Sequence, residues 1–493
     1  MLETCFRSAS SLVRLLRSGK MSSVDLLEQT LARVRRHNPT LNPIVWLDEA
    51  SAMRQAKAAD AALARGEATG PLHGLPMTVK ESLDIAGAPT SNGDPALRDN
   101  IATGDALAVQ RLRAAGAIIF GKTNLPLHMV EWQTFNAIHG TTLNPWDLSV
   151  TPGGSSGGSA VALAAGLTHA EVGSDIGSSI RNPAHYCGVF GLKPTWGLLP
   201  LRGHGGGAFS EIDIGVIGPM TRHAVDLDLL LAVLAGPDTL EADAWRPRLP
   251  RCRVRSLAHF RIAVKLDDPM VDTDDAYADQ RCDGSPQNWP RLAPRCPLPR
   301  PPAIDSAQLH QVYPLLRRAA TSDGVPRPRS IELEDALKTP KAGPMRCCCD
   351  RWSRGTGSAM PGGWRWTGSC DVAPGLGGFF RTLGHPARPA AASAAWPINE
   401  RGERWQRMIR VNGRAVPETD QLFWSGYSGV ALLPSVVGPC GFVGHLPRLP
   451  GCRGGHGHDR TATAFARCVE REIVGFTPPP DLGRVGRLSP AAR

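Results

Sequence analysis

Two glycine-serine segments and one lysine carry the residue types that acyl transfer by a serine would need. In TPGGSSGGSAVALAAG (151–166), glycine pairs flank Ser155 and Ser156. Glycine frees the backbone there to adopt conformations closed to other residues and to approach a ligand closely. In GSDIGSSIRNPAHYCGVFGLKPT (173–195), Gly177, Ser178 and Ser179 again place small residues on a tight turn. Backbone N–H groups left unpaired in such a turn can point at a developing oxyanion. Glycine-serine runs are most often plain loops. Two of them 24 residues apart (155 to 179), with Lys80 upstream at the end of an apolar run, LPMTV, weigh against that reading.

The elements that must hold these segments are legible in the first 240 residues or so. Ser22 or Ser23 caps VDLLEQTLARVRRHN, whose apolar residues recur at helical spacing. ASAMRQAKAADAALARG reads as a helix stopped at Gly66. PLHGLPMTVKES turns through Gly74 and Pro76 into a short strand ending near Lys80, and ALAVQRLRAAGAIIFGKT reads as helix, glycine stop, strand. Helices alternating with short buried strands predict an α/β protein, with a sheet sandwiched between helical layers. Further along, FRIAVKLDD reads as a strand, while IDSAQLHQVYPLLRRAAT and TATAFARCVEREI read as helices.

Between these elements periodicity fails in residues 281–301, 344–393 and 442–456. Long structureless loops are uncommon inside a compact domain. Arg outnumbers Lys 47 to eight, as GC-rich coding DNA produces, and such DNA read out of frame yields Arg, Pro, Gly, Cys and Trp. These stretches are therefore read either as loops or disordered segments, or as compensated frameshifts. Residues 281–301 contribute +3 and residues 344–393 contribute +4 of the formal net charge of +10. The basic excess is thus not gathered on one face as a phosphate-tracking surface requires, and nucleic acid is not expected as a partner. Six of the twelve Cys lie in the same two stretches with no CxxC pair, so no zinc site is expected. The beginning of the chain lacks an apolar leader and no window approaches the ~18 apolar residues of a membrane span, which sets the expectation of a cytoplasmic protein.

GLPMTVKES, GAIIFGKTN, GGSSGGSA and GSDIGSSIRNPAHYCGVFGLKPT, in this order and spacing, resemble the amidase signature family. The resemblance covers roughly residues 8–240 and resumes at TDQLFWSGYSGVALLPSV and DRTATAFARCVEREIVGFTPPP. It implies one amidase domain over 1–480 followed by a tail at 481–493, built on a large mixed central sheet with helices on both faces. It also implies roles: Lys80 as the base, Ser155 as a bridging serine and Ser179 as the nucleophile. The backbone N–H groups of Ile176, Gly177, Ser178 and Ser179 would form the oxyanion hole. The implied reaction is hydrolysis of a small-molecule amide through an acyl-enzyme, with no cofactor and no metal, and with a homodimer as an open option. A serine hydroxyl attacks only when a neighbour removes its proton, and a lysine does this only when neutral, which burial favours. Many members carry Gly-Gly-Ser where this chain has Gly177-Ser178-Ser179. The Cβ of Ser178 would narrow the pocket or demand a different φ. Asp175 and Arg181 are expected to brace this turn, and Cys187 to be a buried small hydrophobe.

Other readings compete. Gly116–Thr123 fits GxxxxGK[ST] letter for letter, yet a helix precedes it and AIIF inside it are strand formers, against a phosphate loop. The amidase component of a glutamyl-tRNA amidotransferase is one alternative, and a decayed, inactive amidase is another.

Overall fold

The computed structural model describes residues 4–206, 211–260, 262–275, 305–321, 385–448 and 450–480. The irregular stretch 281–301, residues 344–384 of the stretch 344–393, and the tail 481–493 lie outside the described residues, whereas the end of the second stretch, expected to be irregular, holds a strand at His385–Pro389.

Helix α1 (Ala9–Arg17) is capped by Ser8, and its Ala9, Leu12, Val13 and Leu16 form one buried stripe. In α2 (Ser23–Leu41) the Ser22 hydroxyl accepts the Asp25 N–H at 2.9 Å, the serine cap expected from the sequence. Strand β1 (Ile44–Leu47) leads into α3 (Glu49–Ala64), and Gly66 at φ +73° follows as the stop. Strand β2 (Pro76–Lys80) ends on the lysine, while α4 (Leu107–Ala114) feeds β3 (Ile118–Thr123). The candidate phosphate loop is thus mostly a strand. Its lysine, Lys122, is buried and donates to the Pro89 carbonyl and to Thr90 Oγ1.

After the short strands β4 (Phe135–Asn136) and β5 (Gly140–Thr141) come α5 (Gly157–Ala164), β6 (Glu171–Asp175), α6 (Arg181–Cys187), β7 (Phe190–Lys193), β8 (Val216–Thr221) and α7 (Ala224–Leu234). The later part of the chain adds β9 (Ile262–Val264), α8 (Ser306–Thr321) and β10 (His385–Pro389). Next are the hairpin β11 (Met408–Val411) and β12 (Arg414–Pro417), helix α9 (Phe423–Gly429) and strand β13 (Ser435–Val437). Strands β14 (Gly441–Val443), β15 (Leu446–Arg448) and β16 (Pro450–Arg453) precede α10 (Asp459–Glu472). Residues 442–456, expected to be irregular, therefore contain strands. β14 and β15 pair as a hairpin and β16 enters the main sheet, so backbone pairing organises a segment whose side chains show no periodicity.

The expected single large sheet is divided. β1-β3-β2 form a three-stranded sheet, and β6-β8-β7-β13-β16-β10-β9 form a seven-stranded mixed one. No backbone ladder joins β2 to β6 among the described residues. Side chains close that seam: the Thr78 N–H donates to Thr168 Oγ1 at 3.0 Å, and Thr78 Oγ1 donates to Glu171 Oε1 at 2.6 Å. Strand alternation sends neighbouring residues to opposite faces. Ile119 and Val436 pack in one core with α1, α4, α7 and α10, whereas Ile118 and Val437 pack in another with α2, α5 and α6. The expected helical layers on both faces are present. Gly158 permits the close crossing of α5 over the end of β3, since a Cβ there would stand 2.5 Å from the Asn124 backbone. A third, aromatic cluster joins Trp132, Tyr186, Tyr313, Trp396 and Phe423.

Candidate active site

Lys80 ends β2 at the seam, fully buried. Its Nζ donates to Ser155 Oγ at 2.7 Å and to Ser174 Oγ at 3.0 Å. Burial drives its pKa down to about 7, against the opposing pull of Asp175, Glu171 and Glu81. At that value much of the amine is neutral near pH 7. Glu171, the acid in the seam, is pushed up to about 7 by burial, opposed by hydrogen bonds from Thr78 and its neighbours.

The loop before α5 holds Ser155, whose peptide bond with Gly154 is cis. Ser156 ties the two serine segments together: its N–H donates to the Ser179 carbonyl at 3.0 Å, and its hydroxyl lies 3.3 Å from both the N–H and the carbonyl oxygen of Ser174. Of the sequence-predicted trio, Lys80 and Ser155 are in contact. Ser179 is carried alongside by its backbone, and among the described residues no hydrogen bond joins its hydroxyl to that of Ser155.

Asp175 organises the turn that carries Ser179. Its carboxylate accepts the N–H groups of Ser178 (3.0 Å), Ile180 (3.1 Å) and Arg181 (3.3 Å), and Nε (2.9 Å) and Nη2 (2.7 Å) of Arg181. Burial works to raise the pKa of Asp175, but the Arg181 guanidinium and these N–H groups outweigh it and hold the carboxyl below its ordinary value. The two residues brace the turn as expected. Cys187 is buried, and its burial pushes the thiol pKa up.

One expected oxyanion donor is redirected. The Ser178 N–H is taken by Asp175, whereas those of Ile176, Gly177 and Ser179 meet no protein acceptor among the described residues. Ser178 also sits at φ +72°, in the left-handed region, with its buried hydroxyl unpartnered. That conformation costs a residue with a Cβ roughly 1–2 kcal/mol, partly offset in glycine by about 0.5–1 kcal/mol of unfolded-state entropy. Ser178→Gly is expected to raise unfolding stability by about 1 kcal/mol, read as a higher urea midpoint at unchanged slope. An unchanged or lower midpoint would show that the turn carries no such cost.

Three residues of the site were not singled out from sequence. Ser174, the second partner of Lys80, is a polar residue on the fully buried strand EVGSD, a pattern that could have marked it. Trp132 Nε1 donates to the Gly177 carbonyl at 2.8 Å, and Tyr313 Oη donates to the Ile176 carbonyl at 2.9 Å. No local pattern marks either, since both reach the turn across long stretches of chain.

Residues 25–281 match the model of the family described as Amidase. The chain is 41% identical over 277 residues to an indoleacetamide hydrolase of Bradyrhizobium diazoefficiens, covering 55% of this chain and 52% of that protein. It is 43% identical over 235 residues to a glutamyl-tRNA(Gln) amidotransferase subunit of Coxiella burnetii, covering 48% of each. It is 40% identical over 234 residues to an acylamidase of Rhodococcus erythropolis, again covering 48% of each. The chain thus spans about half the length of the curated relatives it matches. A crystal structure of an amidase superposes with TM-score 0.73 at 26% identity, covering 95% of this chain and 100% of the other. A glutamyl-tRNA(Gln) amidotransferase subunit of Thermotoga maritima superposes with TM-score 0.75 at 21% identity, covering 97% and 98%, a likeness of fold. The chain belongs to the amidase signature family. Among the described residues no helix is long and apolar enough to cross a membrane.

Proposed function

We propose that this chain hydrolyses a carbon–nitrogen amide bond of a small molecule through an acyl-enzyme on Ser179, with Lys80 as base and Ser155 as relay. The observation that carries the reading is a fully buried lysine, its pKa lowered to about 7, placed 2.7 Å from a serine hydroxyl. Neutral Lys80 accepts the Ser155 proton as Ser155 accepts that of Ser179. The Ser179 Oγ–carbonyl carbon bond then forms, and the carbonyl π pair moves onto oxygen, facing the N–H groups of Gly177 and Ser179. When the C–N bond breaks, the departing nitrogen takes the proton held on Lys80, returned through Ser155. Water then attacks the ester by the same relay, giving carboxylate and free Ser179. A relay step brings Ser179 Oγ within hydrogen-bond reach of Ser155, and apo sites often close such contacts only with substrate bound. The names of the indoleacetamide hydrolase and the acylamidase favour aryl and acyl amides as first substrates to try.

A fluorophosphonate probe followed by peptide mapping tests the assignment, together with a panel of aryl, short-chain and fatty amides. Labelling on Ser179 and release of amine or ammonia are expected. Labelling at another serine, or none in protein that melts cooperatively, would overturn it. The likeness to the Coxiella burnetii amidotransferase component supports a second reading, in which the chain delivers ammonia within a complex. Glutamine hydrolysis only after a tRNA-binding partner is added would favour that reading.

A further inference from the structure

We propose that Tyr313 is a positioning residue for the oxyanion turn, aiming the Gly177 N–H into the site; this rests on the reading of Ser179 as nucleophile. In a peptide unit the C=O of one residue and the N–H of the next point in opposite directions in one plane. Pinning a carbonyl therefore aims the following N–H. Two aromatic side chains pin two successive carbonyls of this turn. Trp132 Nε1 holds the Gly177 carbonyl at 2.8 Å, and the N–H that this orients, that of Ser178, is caught by Asp175 at 3.0 Å. Tyr313 Oη holds the Ile176 carbonyl at 2.9 Å, and the N–H that this orients belongs to Gly177. That group meets no protein acceptor among the described residues and lies two residues before the nucleophile. One peptide of the turn is locked at both ends by protein. The other is locked at its carbonyl alone, leaving its N–H for a ligand oxygen.

The seat of Tyr313 shows a side chain held for its hydroxyl as well as its bulk. The residue is fully buried, and the glycines Gly426 and Gly429, spaced i and i+3 on α9, make the slot for its ring. A Cβ on either would stand 2.9 Å or 2.5 Å from a ring carbon. Ser425 Oγ lies 3.0 Å from the phenol oxygen and 2.6 Å from the Leu422 carbonyl, and its single proton serves one of the two at a time. α9 also receives Arg181, whose Nη1 reaches the Ser425 carbonyl and Ser428 Oγ. The nucleophile's turn is thus suspended from α8 and α9, elements far away in sequence.

Tyr313→Phe keeps the ring in its slot and removes the donor. On the best amide substrate, kcat is expected to fall roughly tenfold, part of the 10²–10³ that outright loss of an oxyanion donor costs. KM and the apparent pKa of the pH profile should stay as in the wild type, because Lys80 is untouched. Deuterium uptake by a peptide spanning 173–187 should quicken severalfold, with the rest of the seven-stranded sheet unchanged. Gly429→Ala, which intrudes on the ring, should quicken the same peptide. Uptake of that peptide unchanged in Tyr313→Phe would overturn the inference whether or not the wild type proves active. So would an unchanged kcat in a wild type that labels at Ser179. Failure of the wild type to label would sink the nucleophile assignment instead, and uptake would still decide what Tyr313 holds.

Discussion

Ser179→Ala is expected to abolish amide hydrolysis, with kcat lower by roughly 10⁴–10⁶-fold, as when the nucleophile of a serine hydrolase is removed. The physical basis is that no neighbour substitutes for it. The Ser178 hydroxyl is buried on a left-handed backbone, and Ser155 and Ser156 stand in the opposing loop. The Ser179 hydroxyl makes no hydrogen bond among the described residues, so its loss should leave the melting temperature within a few degrees of the wild type. Backbone bonds, above all Ser156 N–H to the Ser179 carbonyl, keep the turn in place. The measurements are kcat, probe labelling and a thermal melt on one preparation. Residual turnover within tenfold of the wild type, in protein free of contaminating hydrolase, would show that acyl transfer runs through another residue.

Lys80→Met should cost roughly 10²–10⁴ in kcat/KM, the range of a positioned proton acceptor. It should also change the pH dependence, which separates a base from a brace. Burial disfavours the ammonium, so the neutral amine becomes the major form above about pH 7. The wild-type kcat/KM is expected to rise tenfold per pH unit below about 7 and to level off above it, and the variant should lack that limb. Stability carries the same signature. Between about pH 7 and 10.5 the unfolded chain binds a proton at this lysine that the folded chain does not, so stability climbs with pH across that window. The burial penalty is absent above the upper value and grows as pH falls to the lower one. Lys80→Met should remove that slope and, at neutral pH, match or exceed the wild type in stability while being nearly inert. A wild-type limb centred near pH 5 or 9, or one that survives in Lys80→Met, would assign the base elsewhere.

Much of this centre could be read from the chain before folding, for identifiable reasons. Lys80 closes an apolar run, and the strand that carries both is buried throughout. The glycine pairs around Ser155 and the small residues at 177–179 do make tight turns, and Ser22 and Gly66 mark helix ends with local chemistry. What escaped was non-local. Tyr313 reaches Ile176 across 137 positions, and Trp132 reaches Gly177 across 45, and neither pairing leaves a mark on adjacent residues. Even the partial hint, glycines at 426 and 429 on one helical face, gives a groove without its occupant. The donation of the Ser178 N–H to Asp175 was equally hidden, since motif spacing places a residue on a turn and says nothing of which way its amide faces. The division of the sheet depends on Thr78, Thr168 and Glu171, whose side chains substitute for a backbone ladder. The pairing of residues 441–453 shows the converse, strands formed without alternation.

The join between the two sheets bears on how such a catalyst would age or be poisoned. Lys80 hangs from one sheet and Ser174 from the other, and side-chain hydrogen bonds, not a backbone ladder, bridge the two. A slight yawning along that line would let water reach the amine, restore its ordinary basicity and disarm the centre with both helical layers still standing. Under the proposed relay, durability of the shape and durability of the chemistry would be separate properties, the second set by the side-chain contacts at this seam.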